Sequence, residues 1–279
     1  MNKRIKRFLS SVWTIIRLPE MTMLPGQLAF FFVLSVVPII TIIGYGSLLL
    51  NLSMDFMSDF IARAFSTAVA GVLFPSVSEI TLGLRFFFSL AIGFFIASNG
   101  ADSIILASNT IYGIKNSGYM KRRIKALAMT VLIVLLFLFI LIVPVFGNKI
   151  VEIIKSVNIN PKVTTNLQLL FFVLRGPISW FIMFIFIKII YTMAPDRKLT
   201  TATVNYGAIF TTVFWTGITA LYSYYITHFA NYAAIYGGLA NIVVLMLWVY
   251  LLAIIFVIGM ALNFKEENLA KTGNIKKVK

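Results

Sequence analysis

The chain has 279 residues, of which 60% are hydrophobic and only 12% charged, and its mean hydropathy is +0.95. A soluble domain carries roughly 25% charged residues, so composition excludes a surface that faces water throughout. The net charge of +15 would point a soluble protein toward nucleic acid, but here the basic residues gather between long apolar runs, and no nucleic-acid partner is expected.

Residues 1–27 form a basic, amphipathic start. Ile5, Phe8, Leu9, Val12, Ile15 and Ile16 share one helical face, with Lys3, Arg4, Lys6, Arg7, Ser10, Ser11 and Thr14 on the other. That pattern suits a helix lying on an anionic leaflet. No small-residue cleavage site follows a compact apolar core, so a removed signal peptide is not expected. Six apolar runs come next, at about 28–50, 86–112, 125–147, 171–194, 203–229 and 236–263. Each is long enough to cross roughly 30 Å of hydrocarbon as a helix. Residues 265–279 form a basic tail.

Several positions punctuate these runs. Pro38 lies mid-run in the first, where it frees the carbonyl of Leu34 and makes either a hinge or a static bend. Ser53 is placed to cap an interfacial helix from Met54 to about Leu73. Gly93, Ala97 and Ala101 repeat every four residues, a spacing that lets helix backbones approach closely. Asn160–Pro161 signals a turn, with Thr164 or Thr165 as a cap for the next helix. Gly237 and Gly238 belong with the hinge or packing positions. Tyr222, Tyr224, Tyr225, Tyr232 and Tyr236 cluster where aromatic side chains anchor a helix at the membrane surface.

Orientation follows from the bias of Lys and Arg toward cytoplasmic loops. With six spans, seventeen of the 24 basic residues fall on one side: those of the N-terminal segment, of the loop Lys115–Lys125, Arg197 and Lys198, and those of the tail. Six fall on the other: Arg63, Arg85, Lys149, Lys155, Lys162 and Arg175. The expected fold is an all-α integral membrane protein of the bacterial inner membrane with six transmembrane helices and both termini cytoplasmic. An N-terminal amphipathic helix and short extracytoplasmic interfacial helices complete it. Its basic face is expected to meet anionic lipids of the inner leaflet, and the sequence leaves room for a homo-oligomer.

Ionisable side chains at bilayer depth are costly and usually face an interior or a water-filled cavity. Two lie well inside spans, Asp102 and Lys188. Counted from the span ends, they sit about 15 Å and about 9 Å deep, which allows an ion pair, or leaves Lys188 to snorkel alone. Ser98, Asp102 and Asn109 share a helical face, with Asn99 beside it. The fifth run carries a second stripe: Asn205, Thr212, Thr216, Thr219 and Ser223. The two stripes either line a substrate pathway between spans two and five or make interhelical hydrogen bonds.

Cysteine is absent, which excludes disulfides and Cys-ligated metals. No phosphate-binding loop, H-E-x-x-H or G-x-S-x-G motif is present. The lone His228 has no second histidine beside it, and the carboxylates are scattered. Neither a metal, a cofactor nor an enzymatic activity is expected.

The string Ala29-Phe30-Phe31-Phe32-Val33-Leu34-Ser35-Val36-Val37-Pro38 resembles the A-F/Y-x-x-x-L-S-x-x-P signature of the YihY/BrkB family of bacterial inner-membrane proteins. The similarity continues through Lys121-Arg122-Arg123-Ile124-Lys125-Ala126, Tyr191-x-x-x-Pro195, Gly207 and Trp215. It ends with Tyr232-x-x-x-Tyr236-Gly237-Gly238-Leu239, then Trp248, Tyr250 and Gly259. The resemblance implies six spans, an old ribonuclease label, and links to virulence-related resistance and, for some members, envelope lipid export. Family members often carry Gly-Ala-Glu near the end of the last span, where this chain reads Gly259-Met260-Ala261. The expected function is transport or translocation of a lipid, an amphiphile or a small polar solute. The alternative is a non-transporting scaffold supporting the envelope, with a membrane nuclease a distant third.

Overall fold

The computed structural model describes residue 10 and residues 12–49, 84–135, 161–199, 203–228, 237 and 240–277. All regular structure among the described residues is helical. After a short turn of helix at 12–16 come α1 (Glu20–Leu49), α2 (Leu84–Ile111), α3 (119–135), α4 (Pro161–Met193), α5 (Asn205–His228) and α6 (Ala240–Lys277). Within them, Ala91–Ile111, Gly176–Met193 and Ile242–Asn268 are long and apolar enough to cross a membrane. The expected interfacial helix from Met54, the loop 151–160, Gly238, Tyr232, Tyr236 and the side chains of Pro38 and Ser223 lie outside the described residues.

Local chemistry sets the helix boundaries. Pro19 precedes Glu20, so its fixed φ and missing N–H fall where a helix needs no donor, and the Glu20 carboxylate complements the positive helix end. The described part of α4 runs from Pro161 through Thr164 and Thr165, so neither threonine caps it. The chain also stays helical through Pro38 and Pro177. At the other end of α2, Gly113 takes φ +61. The Ile114 N–H reaches Asn109 O at 2.8 Å and the Gly113 N–H reaches Thr110 O at 3.1 Å. This paired closure needs a left-handed residue, which glycine adopts without steric cost. The basic tail does not leave α6 but extends it as helix to Lys277.

α1 and α2, and α5 and α6, pack as antiparallel pairs. On the α1–α2 seam, Ser35 donates to Ala97 O at 3.0 Å and to its own helix at Phe31 O at 2.7 Å. A Cβ on Gly100 would come within 2.9 Å of Ser35 Oγ. Ala97 and Ala101 are buried on this seam, so the small-residue repeat is used for close approach. On the α5–α6 seam, Trp215 Nε1 donates to Leu252 O at 2.8 Å, Trp248 Nε1 to Thr219 Oγ1 at 3.2 Å and Tyr222 OH to Val244 O at 2.7 Å. Positions rise along α5 as they fall along α6. α6 also packs against α1 and α2, while α4 packs on α5.

The core lies toward one end of the helices, although Tyr119, Met120 and Tyr206 at that end are exposed. The end where α2 and α4 finish and α3 and α5 begin carries Lys121–Lys125 and Arg197–Lys198, and is the basic end of the bundle. There Ile104, Ile105, Ile187, Tyr191, Val204, Phe256 and Met260 form the core. Toward the far end Phe87, Phe88, Ile92, Phe181, Leu221 and Tyr224 are exposed. Ile15, part of the amphipathic face expected to rest on lipid, is instead buried with Phe210, Ile255 and Ile258. Its apolar demand is met by protein, while Trp13 and Ile16 remain exposed.

Candidate functional site

Asp196, which follows the last turn of α4, organises the basic end. Its Oδ1 accepts from Lys125 Nζ at 2.9 Å. Its Oδ2 accepts from Asn109 Nδ2 at 2.8 Å and from the Ser117 N–H at 2.9 Å. Lys125 spends its other two protons on Ala194 O at 2.7 Å and Pro195 O at 2.8 Å, so its three donors are all used. A lysine there also meets the negative end of α4. Asn109 returns the contact by accepting the Asp196 N–H at 2.8 Å, and donates to Asn116 Oδ1 at 2.9 Å. Burial alone would raise the Asp196 pKa. Lys125, the Ser117 N–H and Asn109 outweigh it and hold the carboxyl well below the usual carboxylate range. Next to this hub, Arg197 pairs with Glu267 of α6 and lies over the Tyr112 ring, 4.9 Å from its centre.

Asp102 does not pair with Lys188. Its Oδ1 accepts from Arg122 Nε at 2.7 Å, and the two side chains are each 18% exposed. The depth counted from the end of α2 assumed that neighbouring helices end level. Instead the first turn of α3 brings Arg122 to Asp102, nine residues before the end of α2. Lys188 is half-buried and forms no ion pair among the described residues, while its carbonyl accepts from Thr192 Oγ1 at 2.8 Å. Asn99 accepts from Arg123 at 2.8 Å.

α2 and α5, which carry the two polar stripes, each pack against α6. Ser98 donates to Phe95 O at 2.7 Å, Thr212 to Ala208 O at 2.8 Å and Thr216 to Thr212 O at 2.9 Å, all within their own helices. Thr219 serves Trp248 on the seam. Asn205 sits at the start of α5 with Oδ1 buried and without a partner among the described residues. Gly93 is half-buried, and Gly237 takes φ +52 in a turn ahead of α6. His228 stacks on Tyr224 and its Nδ1 lies 2.9 Å from Tyr224 O. Among the described residues no three His, Asp or Glu side chains gather.

A second polar knot joins α4, α5 and α6. Tyr191 OH donates to Phe256 O at 2.8 Å and lies 2.6 Å from Thr211 Oγ1. Gly207 and Gly259 let the α5 and α6 backbones touch here. Asn263 Oδ1 accepts the Gly207 N–H at 2.7 Å, one of the donors a helix start leaves free. Tyr191→Phe removes a buried hydroxyl with two partners. The expected loss is about 1–3 kcal/mol, read as a lower melting temperature in detergent with the helical signal retained. Sequence reasoning missed Asp196, Lys125 and Tyr191 as partners. The signals were two strings of the family resemblance, Lys121–Ala126, which contains Lys125, and Tyr191-x-x-x-Pro195, one residue short of Asp196.

Toward the far end, α5 and α6 leave an open apolar groove of about 540 Å³. Ile218, Leu221, Tyr222, Tyr225, Leu247, Tyr250 and Leu251 line it.

Known proteins place this architecture in a family. The ribonuclease-like protein YfkH of Bacillus subtilis is 29% identical over 265 residues, covering 92% of this chain and 94% of its own length. A UPF0761 membrane protein of Idiomarina loihiensis is 34% identical over 94 residues, 32% of this chain and 33% of its own. A UPF0761 membrane protein of Pseudoalteromonas translucida is 31% identical over 88 residues, 31% of this chain and 29% of its own. No solved structure matches the chain. The family model described as Virulence factor BrkB matches residues 17–278, and this membrane protein belongs to that family.

Proposed function

We propose that the protein moves a lipid or other amphiphile across the bacterial inner membrane. In this reading it is a six-span translocator with both termini and the basic end on the cytoplasmic side. The observation that carries the proposal is the asymmetry of the bundle. The basic end is closed by the Asp196–Lys125–Asn109 hub and the Arg197–Glu267 pair, whereas toward the far end an apolar groove opens along the hydrogen-bonded α5–α6 seam. Aromatic and aliphatic walls suit an acyl chain and offer little to a small polar solute.

One observation favours a non-transporting scaffold. Asp102, Asn109, Thr212 and Thr216 are occupied by structural contacts, as a rigid support would require. The ribonuclease-like name of the Bacillus relative is not carried over. Asp102, Asp196 and Glu267 each face a Lys or Arg, whereas metal-dependent hydrolysis needs carboxylates free to gather a cation.

Reduction of fluorescent phospholipids in proteoliposomes separates translocator from scaffold. The translocator accelerates loss of inner-leaflet label over empty vesicles. Leu247→Trp, which fills the groove, lowers that rate about tenfold, roughly 1.4 kcal/mol of barrier. Rates equal to those of empty vesicles across lipid classes leave the scaffold.

A further inference from the structure

The seam between α2 and α3 holds more positive charge than its own residues neutralise. Arg123 is only 7% exposed. Its terminal nitrogens donate to Asn99 Oδ1 and Phe95 O, each at 2.8 Å, and its guanidinium lies 3.7 Å from the Phe95 ring centre. All of these partners are neutral, and Arg123 Nε has no partner among the described residues. Arg122, one residue before, takes the seam's carboxylate, Asp102. Both guanidinium groups are permanently charged, so two cations share one anion. Burying a charge without a counter-ion is strongly unfavourable, and more so beside hydrocarbon. The positive end of α3 adds to the same field.

The rim of the seam is apolar and exposed. Phe95 and Ile96 on α2, and Met120 and Ile124 on α3, all present large apolar surface outward. Arg122, 18% exposed, offers an open edge beside them. A ligand matching both features carries an anionic oxygen cluster attached to hydrocarbon.

We propose that the α2–α3 seam is a phospholipid-binding site, in which the headgroup phosphate seats on the open edge of Arg122 and balances the charge of Arg123, with acyl chains along Phe95, Ile96 and Ile124. This stands apart from the translocation reading, since a lipid can be held without being moved. Phosphate oxygens accept the spare guanidinium protons in charge-assisted bonds, an arrangement that suits arginine's fork.

The test measures melting temperature of the full-length protein in a neutral detergent against added ligand. The probes are phosphatidylglycerol, diacylglycerol with the same chains, and inorganic phosphate. Phosphatidylglycerol is expected to raise the melting temperature in a saturable way, and the other two are not. Arg123→Gln weakens the apparent affinity by about tenfold or more. Asp102→Asn keeps the shape of the seam, frees Arg122 and strengthens binding, so it decides the matter even if Arg123→Gln fails to fold. Equal stabilisation by diacylglycerol, or unchanged affinity in Asp102→Asn, overturns the site. Equal stabilisation by inorganic phosphate assigns it to a soluble anion and overturns the lipid.

Discussion

Asp196→Ala is expected to destabilise the protein by about 3 kcal/mol. The carboxylate is only 7% exposed, and its removal strands three partners at once: the Lys125 ammonium, the Asn109 amide and the Ser117 N–H. Asp196→Asn should cost less, because an amide oxygen still accepts from Ser117 or Lys125 while the charge is lost. The pH dependence has a definite sign. Because the folded-state pKa is depressed, the carboxylate's contribution is complete above the unfolded value of about 4. It is lost only as pH falls further, through the folded pKa. Thermal unfolding in detergent should therefore show no Asp196-dependent change between pH 5 and 8, figures set by roughly that value. The gap between wild type and Asp196→Asn should close in stronger acid. A wild-type-like melting temperature for Asp196→Ala would show that the hub adds little to stability.

Gly207→Ala carries the second large effect. In an ordinary helix position the added methyl would gain up to about 1 kcal/mol from propensity. At Gly207 the new Cβ would overlap the Gly259 carbonyl oxygen of α6 and also crowd Asn263. A backbone atom cannot swing aside, so α5 and α6 must separate, at about 3 kcal/mol or more. The movement also pulls Asn263 from the Gly207 N–H. Gly217→Ala, on the same helix with nothing within 4 Å of the added carbon, is the matched control and should be neutral or mildly stabilising. Paired melts and detergent monodispersity of the two variants read the difference. Equal behaviour would mean that α5 and α6 can part at this contact without loss.

Much of the helical organisation could be read from apolar run length, because a segment in lipid must satisfy its backbone internally. Its ends were harder to place. α4 is already helical at Pro161, about ten residues before the apolar run, because a helix can continue beyond the hydrocarbon and hydropathy does not mark its start. The candidate site was legible in composition and misread in connection. Asn109 and Asp102 stood out as polar groups inside apolar runs, but the main partner of Asn109 lies 87 residues away at Asp196. Depth allows Asp102 an ion pair with Lys188 without requiring one, and the carboxylate instead meets Arg122 in the first turn of α3. Tyr191 passed as an aromatic among apolar neighbours, and nothing in its spacing announced that its hydroxyl joins two other helices.

The rungs between α5 and α6 limit how this protein can rearrange. Tyr222, Thr219, Trp215 and Gly207 meet Val244, Trp248, Leu252 and Asn263 in matched order, so a slip of one helix along the other would have to break every rung together. Any rearrangement of the bundle must then carry the pair as a single rigid block, with α4 fastened to both members through the Tyr191 hydroxyl.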